Sequence, residues 1–124
     1  MDTSLQQPAR VLALLGLMAI VVLSVVPGSL RPHTAFFPMA EHFVAYAGVA
    51  GALAVAAPQR QALPLIILAL AILSGGLELA QAFIPGRSCD LFGFGGSSLG
   101  AVAGALAVRG AMGLRLSLFR RGHI

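Results

Sequence analysis

In a chain that is almost entirely apolar, five polar residues carry the chemistry on offer: His42, Glu78, Gln81, Arg87 and Asp90. His42 opens one hydrophobic run, Glu78 and Gln81 close the next, and Arg87 and Asp90 occupy the short loop that follows. An imidazole and a carboxylate suit proton exchange, and Glu78 and His42 are the economical choices for a general acid or base. A guanidinium suits an anion, which its fork can grip through two parallel hydrogen bonds. Glu78 and Gln81 are three residues apart, and His42 and Tyr46 four apart, so each pair shares one helix face. Arg87 follows Pro85 and Gly86, which stop a helix. Beside that helix end it favours the dipole, and it is placed to pair with Glu78 or Asp90.

These side chains serve either as polar glue or as a site. Interhelical hydrogen bonds in membranes average about 0.6 kcal/mol. A charge in the middle of a membrane helix costs about 2.5–3.5 kcal/mol, less near the interface. The imbalance favours function for Glu78 and Arg87, with Gln81, Asp90 and His42 as their companions. Tyr46 reads as an interfacial anchor bordering the same face. No nucleophile stands with a base and an orienting group. His33, Glu41, His42, Glu78 and Asp90 could offer nitrogen and oxygen ligands, but no recognised metal spacing occurs and Arg87 opposes a cation. Neither a metal nor another cofactor is expected. Cys89, the single cysteine, cannot form a disulfide within the chain and reads as a small neutral loop residue.

The elements that must position these groups are membrane helices. The 124 residues are 58% hydrophobic and 10% charged, with mean hydropathy +0.92. Soluble domains carry about 25% charged residues, so a bilayer is the natural solvent. Four apolar runs are expected to span it: residues 11–30, 39–57, 62–84 and 94–114. Each suits a hydrocarbon core of about 30 Å. Pro64 falls in a first turn, where proline is tolerated. Arg109 interrupts the end of the fourth run and can snorkel to the interface. A cleaved signal peptide is the competing reading of the first run, but Val25-Val26-Pro27-Gly28 lacks an Ala-x-Ala site.

All eight basic residues are arginines, giving a net charge of +4. They are scattered singly between apolar runs, which fits lipid headgroups better than nucleic acid. With four spans, Arg10, Arg60, Arg109, Arg115, Arg120 and Arg121 fall on one side, together with Asp2 and His123, and Arg31 and Arg87 on the other. The positive-inside rule then makes both termini cytoplasmic and turns the Arg31 and Arg87 loops outward. Glu41, His42, Glu78, Gln81, Arg87 and Asp90 converge at the outer leaflet. The fold class is all-α: one four-helix transmembrane bundle over residues 1–124. Gly96, Gly100 and Gly104 repeat every four residues and form a small-residue packing face, matched by Ala47 and Gly51. Their partner helix lies in this chain or in another, so a homo- or hetero-oligomer through these glycines is one expectation. Gly75 and Gly76 are able to loosen the third helix ahead of Glu78.

At these residues the chain resembles the VanZ-like family of small bacterial membrane proteins, from about Ser24 to Gly104. The carriers are Ser24-Val25-Val26-Pro27, His42-Phe43-x-x-Tyr46 and Glu78-x-x-Gln81-x-Phe83-x-Pro85-Gly86-Arg87-x-x-Asp90, then Gly100 and Gly104. The family commonly has Asp-Lys where this chain has Pro38-Met39, an acidic residue at Gly93 and an Asn at Ser97. Ser97 keeps a hydrogen-bonding group there and joins the ligand-binding candidates. The resemblance implies the bacterial cytoplasmic membrane and an association with resistance to the glycopeptide teicoplanin.

The sequence therefore leads to three functional expectations. One is a site at the outer leaflet that binds an anionic lipid or lipid-linked envelope precursor through Arg87, Gln81, Asp90, Tyr46 and Ser97. The second is an enzyme acting on such a molecule through Glu78 and His42. The third is a non-catalytic assembly protein that docks a partner through its glycine faces. A transporter is disfavoured, because four spans are few and no ionisable group sits at the midplane.

Overall fold

The computed structural model describes residues 3–32 and 35–122. Asp2, His33 and His123 lie outside the described residues. Among the described residues the chain is all-helical: α1 (Gln6–Val25), α2 (Pro38–Ala56), α3 (Ala62–Gln81) and α4 (Leu91–Arg121), with short 3-10 turns at Thr3–Leu5 and Gly28–Leu30. Each of the four helices is long and apolar enough to cross a membrane. The large side chains on their outer faces, such as Leu12, Leu15, Met18, Leu65 and Ile72, are exposed in the isolated chain. In a bilayer, acyl chains cover them.

The helix ends depart from the expected runs for local reasons. α1 stops at Val25 rather than Leu30, because the residue before a proline is pushed into extended backbone; Val26 has φ −67° and ψ 144°. Pro38, with its fixed φ, opens α2. α3 ends at Gln81, and Ala82, Phe83 and Ile84 close the turn with i→i−3 bonds to Leu79, Ala80 and Gln81. Such tightening satisfies the last carbonyls of a helix. Gly86 then takes φ +73°, a left-handed conformation suited to glycine. α4 begins at Leu91, three residues earlier than expected, because Asp90 Oδ1 accepts the Phe92 N–H at 2.9 Å and caps it. It also runs on to Arg121, about 46 Å at 1.5 Å per residue, well beyond Leu114.

α2 and α4 form the centre, with α1 lying on α2 and α3 on α4. The centre is made of small residues; Ala50, Ala54, Ala101 and Ala105 are fully buried. The contact runs in register. A Cβ on Gly96, Gly100 or Gly104 would lie 2.5, 2.2 or 2.0 Å from the carbonyl oxygen of Met39, Phe43 or Ala47. Gly51 continues the row against Val108. Since 39, 43, 47 and 51 meet 96, 100, 104 and 108 in the same order, the two helices run parallel with their backbones touching. The glycine face is therefore filled inside this chain. Of the two partners the repeat left open, a helix of this chain occupies the face.

At the far end from the polar cluster, the Arg109 guanidinium donates to the carbonyls of Pro58 and Gln59, the latter at 2.9 Å. An arginine inside an apolar helix thus pins the α2–α3 connection.

Candidate functional site

The two other connections meet at the opposite end. Gly28 N–H donates to Pro85 O at 3.1 Å, and a Cβ on Gly28 would sit 2.1 Å from Gly86 O. The loop after α1 and the loop after α3 therefore touch backbone to backbone. Their contact draws the polar residues of α2, α3 and the α3–α4 loop to one end of the bundle.

Glu78 is 4% exposed. Its Oε2 accepts the Asp90 N–H at 2.8 Å, at the start of α4, where the helix dipole favours negative charge. Its Oε1 lies 3.7 Å from His42 Nδ1, an ion pair whenever the imidazole is protonated. The same nitrogen lies 3.1 Å from Ser97 Oγ. Ser97, fully buried, donates to Gly93 O at 2.9 Å. Gly93 makes the arrangement spatially feasible, because a Cβ there would meet Glu78 Oε1 at 2.7 Å and His42 Cε1 at 3.3 Å. The acidic residue common at this position in the VanZ-like pattern would compete for the volume that the Glu78 carboxylate fills. Tyr46 is 3% exposed, with its hydroxyl near Ser74 and Ser97. It belongs to the core, not to an interfacial belt, because the small faces of α2 and α4 leave room for one ring below His42.

Arg87 makes different bonds from those its spacing suggests. Its Nε donates to Val26 O at 3.1 Å and its Nη2 to Leu23 O. The guanidinium closes the free carbonyls at the end of α1, a favourable place for a cation. Glu78 acts on it only through a weaker, longer-range attraction. The physical reason is the Gly28–Pro85 contact, which delivers Arg87 to α1 while Glu78 is taken by His42 and α4. Burial and the neighbouring Arg31 guanidinium push the Arg87 pKa below its ordinary value, against the opposing pull of Glu78. Arginine nevertheless stays charged in proteins.

A cavity of about 290 Å³ opens between α1 and α2 beside this cluster. Arg31, Glu41, His42, Gln81 and Arg87 line its loop end, and Gly16, Ala19, Ile20, Ala45 and Val49 line the remainder. Val49 lies two turns below His42, so the polarity is graded along the helix axes. A second cavity of about 370 Å³ adjoins it and shares Arg31, Glu41 and Arg87. Arg31 donates to Glu41 Oε2, so this arginine and its carboxylate are part of the site. Sequence reasoning left both out of the ligand set. The available signal was Glu41 standing next to His42 in the first turn of α2.

Of the expected ligand contacts, Gln81, Tyr46 and Arg87 line the cavity, as does His42. Ser97 stands behind His42, and Asp90 is committed to capping α4. Glu78 likewise sits behind the imidazole rather than at the cavity wall. Cys89 is exposed and free in the same loop as Arg87. Among the described residues, no group of three or more His, Cys, Asp and Glu is arranged to hold a metal ion. No family model, curated protein or solved structure matches this chain.

Proposed function

We propose that this chain is a multi-pass membrane protein that binds an anionic amphiphile, a membrane lipid or lipid-linked envelope precursor, in the cavity between α1 and α2. The observation that carries this reading is the graded cavity. Two guanidiniums, a carboxylate, an imidazole and an amide line one end, and mostly apolar residues line the rest, with Ser24 and Tyr46 among them. Arg31 and Arg87 both face this space and its neighbour, while Glu41 is the one carboxylate along either wall among the described residues. An anionic group between the two arginines relieves their repulsion, and the acyl chain follows Ala19, Ile20 and Val49 down α1 and α2. The arginine distribution orients this end outward, with both termini in the cytoplasm of a bacterial cell.

Cys89 supplies the topological test. A membrane-impermeant maleimide added to intact cells labels Cys89 in the wild type and nothing in Cys89→Ser. Labelling that requires prior permeabilisation reverses the orientation and removes the outer-leaflet site. For binding, we expect Arg31→Gln to reduce co-purifying anionic lipid severalfold without unfolding the bundle, since among the described residues the Arg31 side chain is tied to Glu41 near the surface. Equal lipid content by mass spectrometry in wild type and variant argues directly against the site.

The Glu78–His42 pair favours a second reading, proton transfer on the bound molecule. A carboxylate 3.7 Å from an imidazole nitrogen can stabilise the charged ring as it takes a proton. The resemblance to the VanZ-like family makes growth on teicoplanin the cellular readout. Under this reading Glu78→Gln, which keeps the shape and the Asp90 bond, leaves the protein folded and gives the phenotype of deletion. Full wild-type growth of Glu78→Gln, where deletion is sensitive, excludes catalysis by Glu78.

A further inference from the structure

We infer that His42 presents Nε2 to the cavity as a fixed hydrogen-bond acceptor, and that the ligand is an anionic lipid whose headgroup carries a hydroxyl. The inference rests on the anionic-amphiphile reading above and narrows its ligand class.

Proton counting fixes the ring. Gly93 O only accepts, so the single Ser97 hydroxyl hydrogen points to it across 2.9 Å. Ser97 Oγ can then only accept from His42 Nδ1, 3.1 Å away. Glu78 Oε1, 3.7 Å from the same nitrogen, also favours a proton there. A neutral imidazole protonated at Nδ1 carries its lone pair on Nε2. The Nδ1 and Cε1 edge faces α4, where Cε1 lies 3.3 Å from the space above Gly93. The ring also lines the cavity, and Nε2 has no hydrogen-bond partner among the described residues.

Gln81 is the second observation. The residue is 5% exposed and lines the same cavity, and its side chain has no hydrogen-bond partner among the described residues. Its amide opens onto the cavity, where a ligand or water can satisfy it. The cavity end thus offers two guanidiniums for an anion, a lone pair for a donor, and an amide able to do either. A choline headgroup has no hydrogen-bond donor. An ethanolamine headgroup has donors but brings positive charge toward Arg31 and Arg87, and the Glu41 carboxylate beside them is already engaged by Arg31. A hydroxyl provides a donor without that charge.

The test uses the full chain in nanodiscs or detergent with three lipids of matched acyl chains. Phosphatidylglycerol carries one negative charge and two hydroxyls; phosphatidylpropanol carries the same charge and no hydroxyl; phosphatidylcholine is zwitterionic. We expect phosphatidylglycerol to bind about three- to tenfold more tightly than phosphatidylpropanol, the size of one or two net hydrogen bonds. His42→Asn keeps a donor near Nδ1 and withdraws the acceptor from the Nε2 position, its own Oδ1 ending short of it, and should bring that ratio to about one while both anionic lipids still outcompete phosphatidylcholine. Nitrogen-15 NMR of labelled histidine in the wild type should show the neutral His42 ring unprotonated at Nε2. That measurement needs no variant to fold. Equal binding of the two anionic lipids to wild type, or a proton found on Nε2, overturns the hydroxyl inference and leaves the anion site standing. If neither anionic lipid outcompetes phosphatidylcholine, the anionic-amphiphile reading itself fails, and this inference with it.

Discussion

Gly104→Val should be among the most destabilising single substitutions in this chain, with a cost above the usual 1–3 kcal/mol for overpacking a core. The reason is what the new atoms meet. A Cβ at position 104 would lie 2.0 Å from Ala47 O and 2.7 Å from Ala47 Cα, all backbone of a neighbouring helix. No rotamer change removes that clash, so α2 and α4 must move apart. Separation forfeits the close contact that substitutes for a hydrophobic drive inside a bilayer. It also moves Ser97 and Gly93 away from His42 and Glu78, because the same helix pair carries the site. Gly104→Ala should show a smaller loss of the same sign. Gly110→Ala, with nothing within 4 Å of the added methyl, should be neutral or slightly stabilised by roughly the 1 kcal/mol helix-propensity gain of alanine. Thermal unfolding midpoints in one detergent compare the three. A Gly104→Val protein that melts like Gly110→Ala would show that the helices do not touch there.

The parts of this architecture that depend on neighbours along the chain were readable from the residues. Four apolar runs of bilayer length give four helices, and the parity of four brings the Arg31 and Arg87 loops to one end. The four-residue repeat of glycines correctly announced a close helix contact. Which helix would be met was not encoded in the repeat itself. It becomes apparent only when Met39, Phe43 and Ala47 are seen to fall in the same register as the glycines.

What stayed hidden concerns pairing across the bundle. Helical spacing tells which residues share a face, but not how far that face stands from a face sixty residues away. Arg87 seemed destined for Glu78 or Asp90, its nearest acids in sequence. The Gly28–Pro85 hydrogen bond instead hands it to the α1 carbonyls. Glu78 is then satisfied by His42 and the amide of Asp90, the residue that caps α4. Tyr46 illustrates the same limit, since an aromatic residue one turn into a span suits an interface or a core equally well. The role of α1 as a cavity wall had Ser24 as its one polar marker: Gly16, Ala19, Ile20 and Leu23 are ordinary residues of an apolar helix.

The second large effect is expected at Arg87. Arg87→Met should loosen the loop end of the bundle by several kcal/mol at most, and Arg87→Lys should recover little of the loss. The guanidinium reaches Val26 O through Nε and Leu23 O through Nη2, two acceptors three residues apart on the end of α1. A planar fork spans that separation with one rigid group, whereas an ammonium is a single point that engages one carbonyl well. Methionine fills part of the volume but leaves both carbonyls without their donor, and a hydrogen bond from a charged donor is worth about 1.5–3 kcal/mol. With α1 released, the wall formed by Ala19, Ile20 and Leu23 is no longer held against α2, so the cavity should widen as stability falls. The two consequences are separable. Hydrogen exchange should rise first at the C-terminal turn of α1 and around Gly28, before any change in the α2–α4 pair. If Arg87→Lys retains wild-type exchange in that turn and wild-type thermal stability, the bidentate cap is not what secures α1, and the cavity's shape must come from helix packing alone.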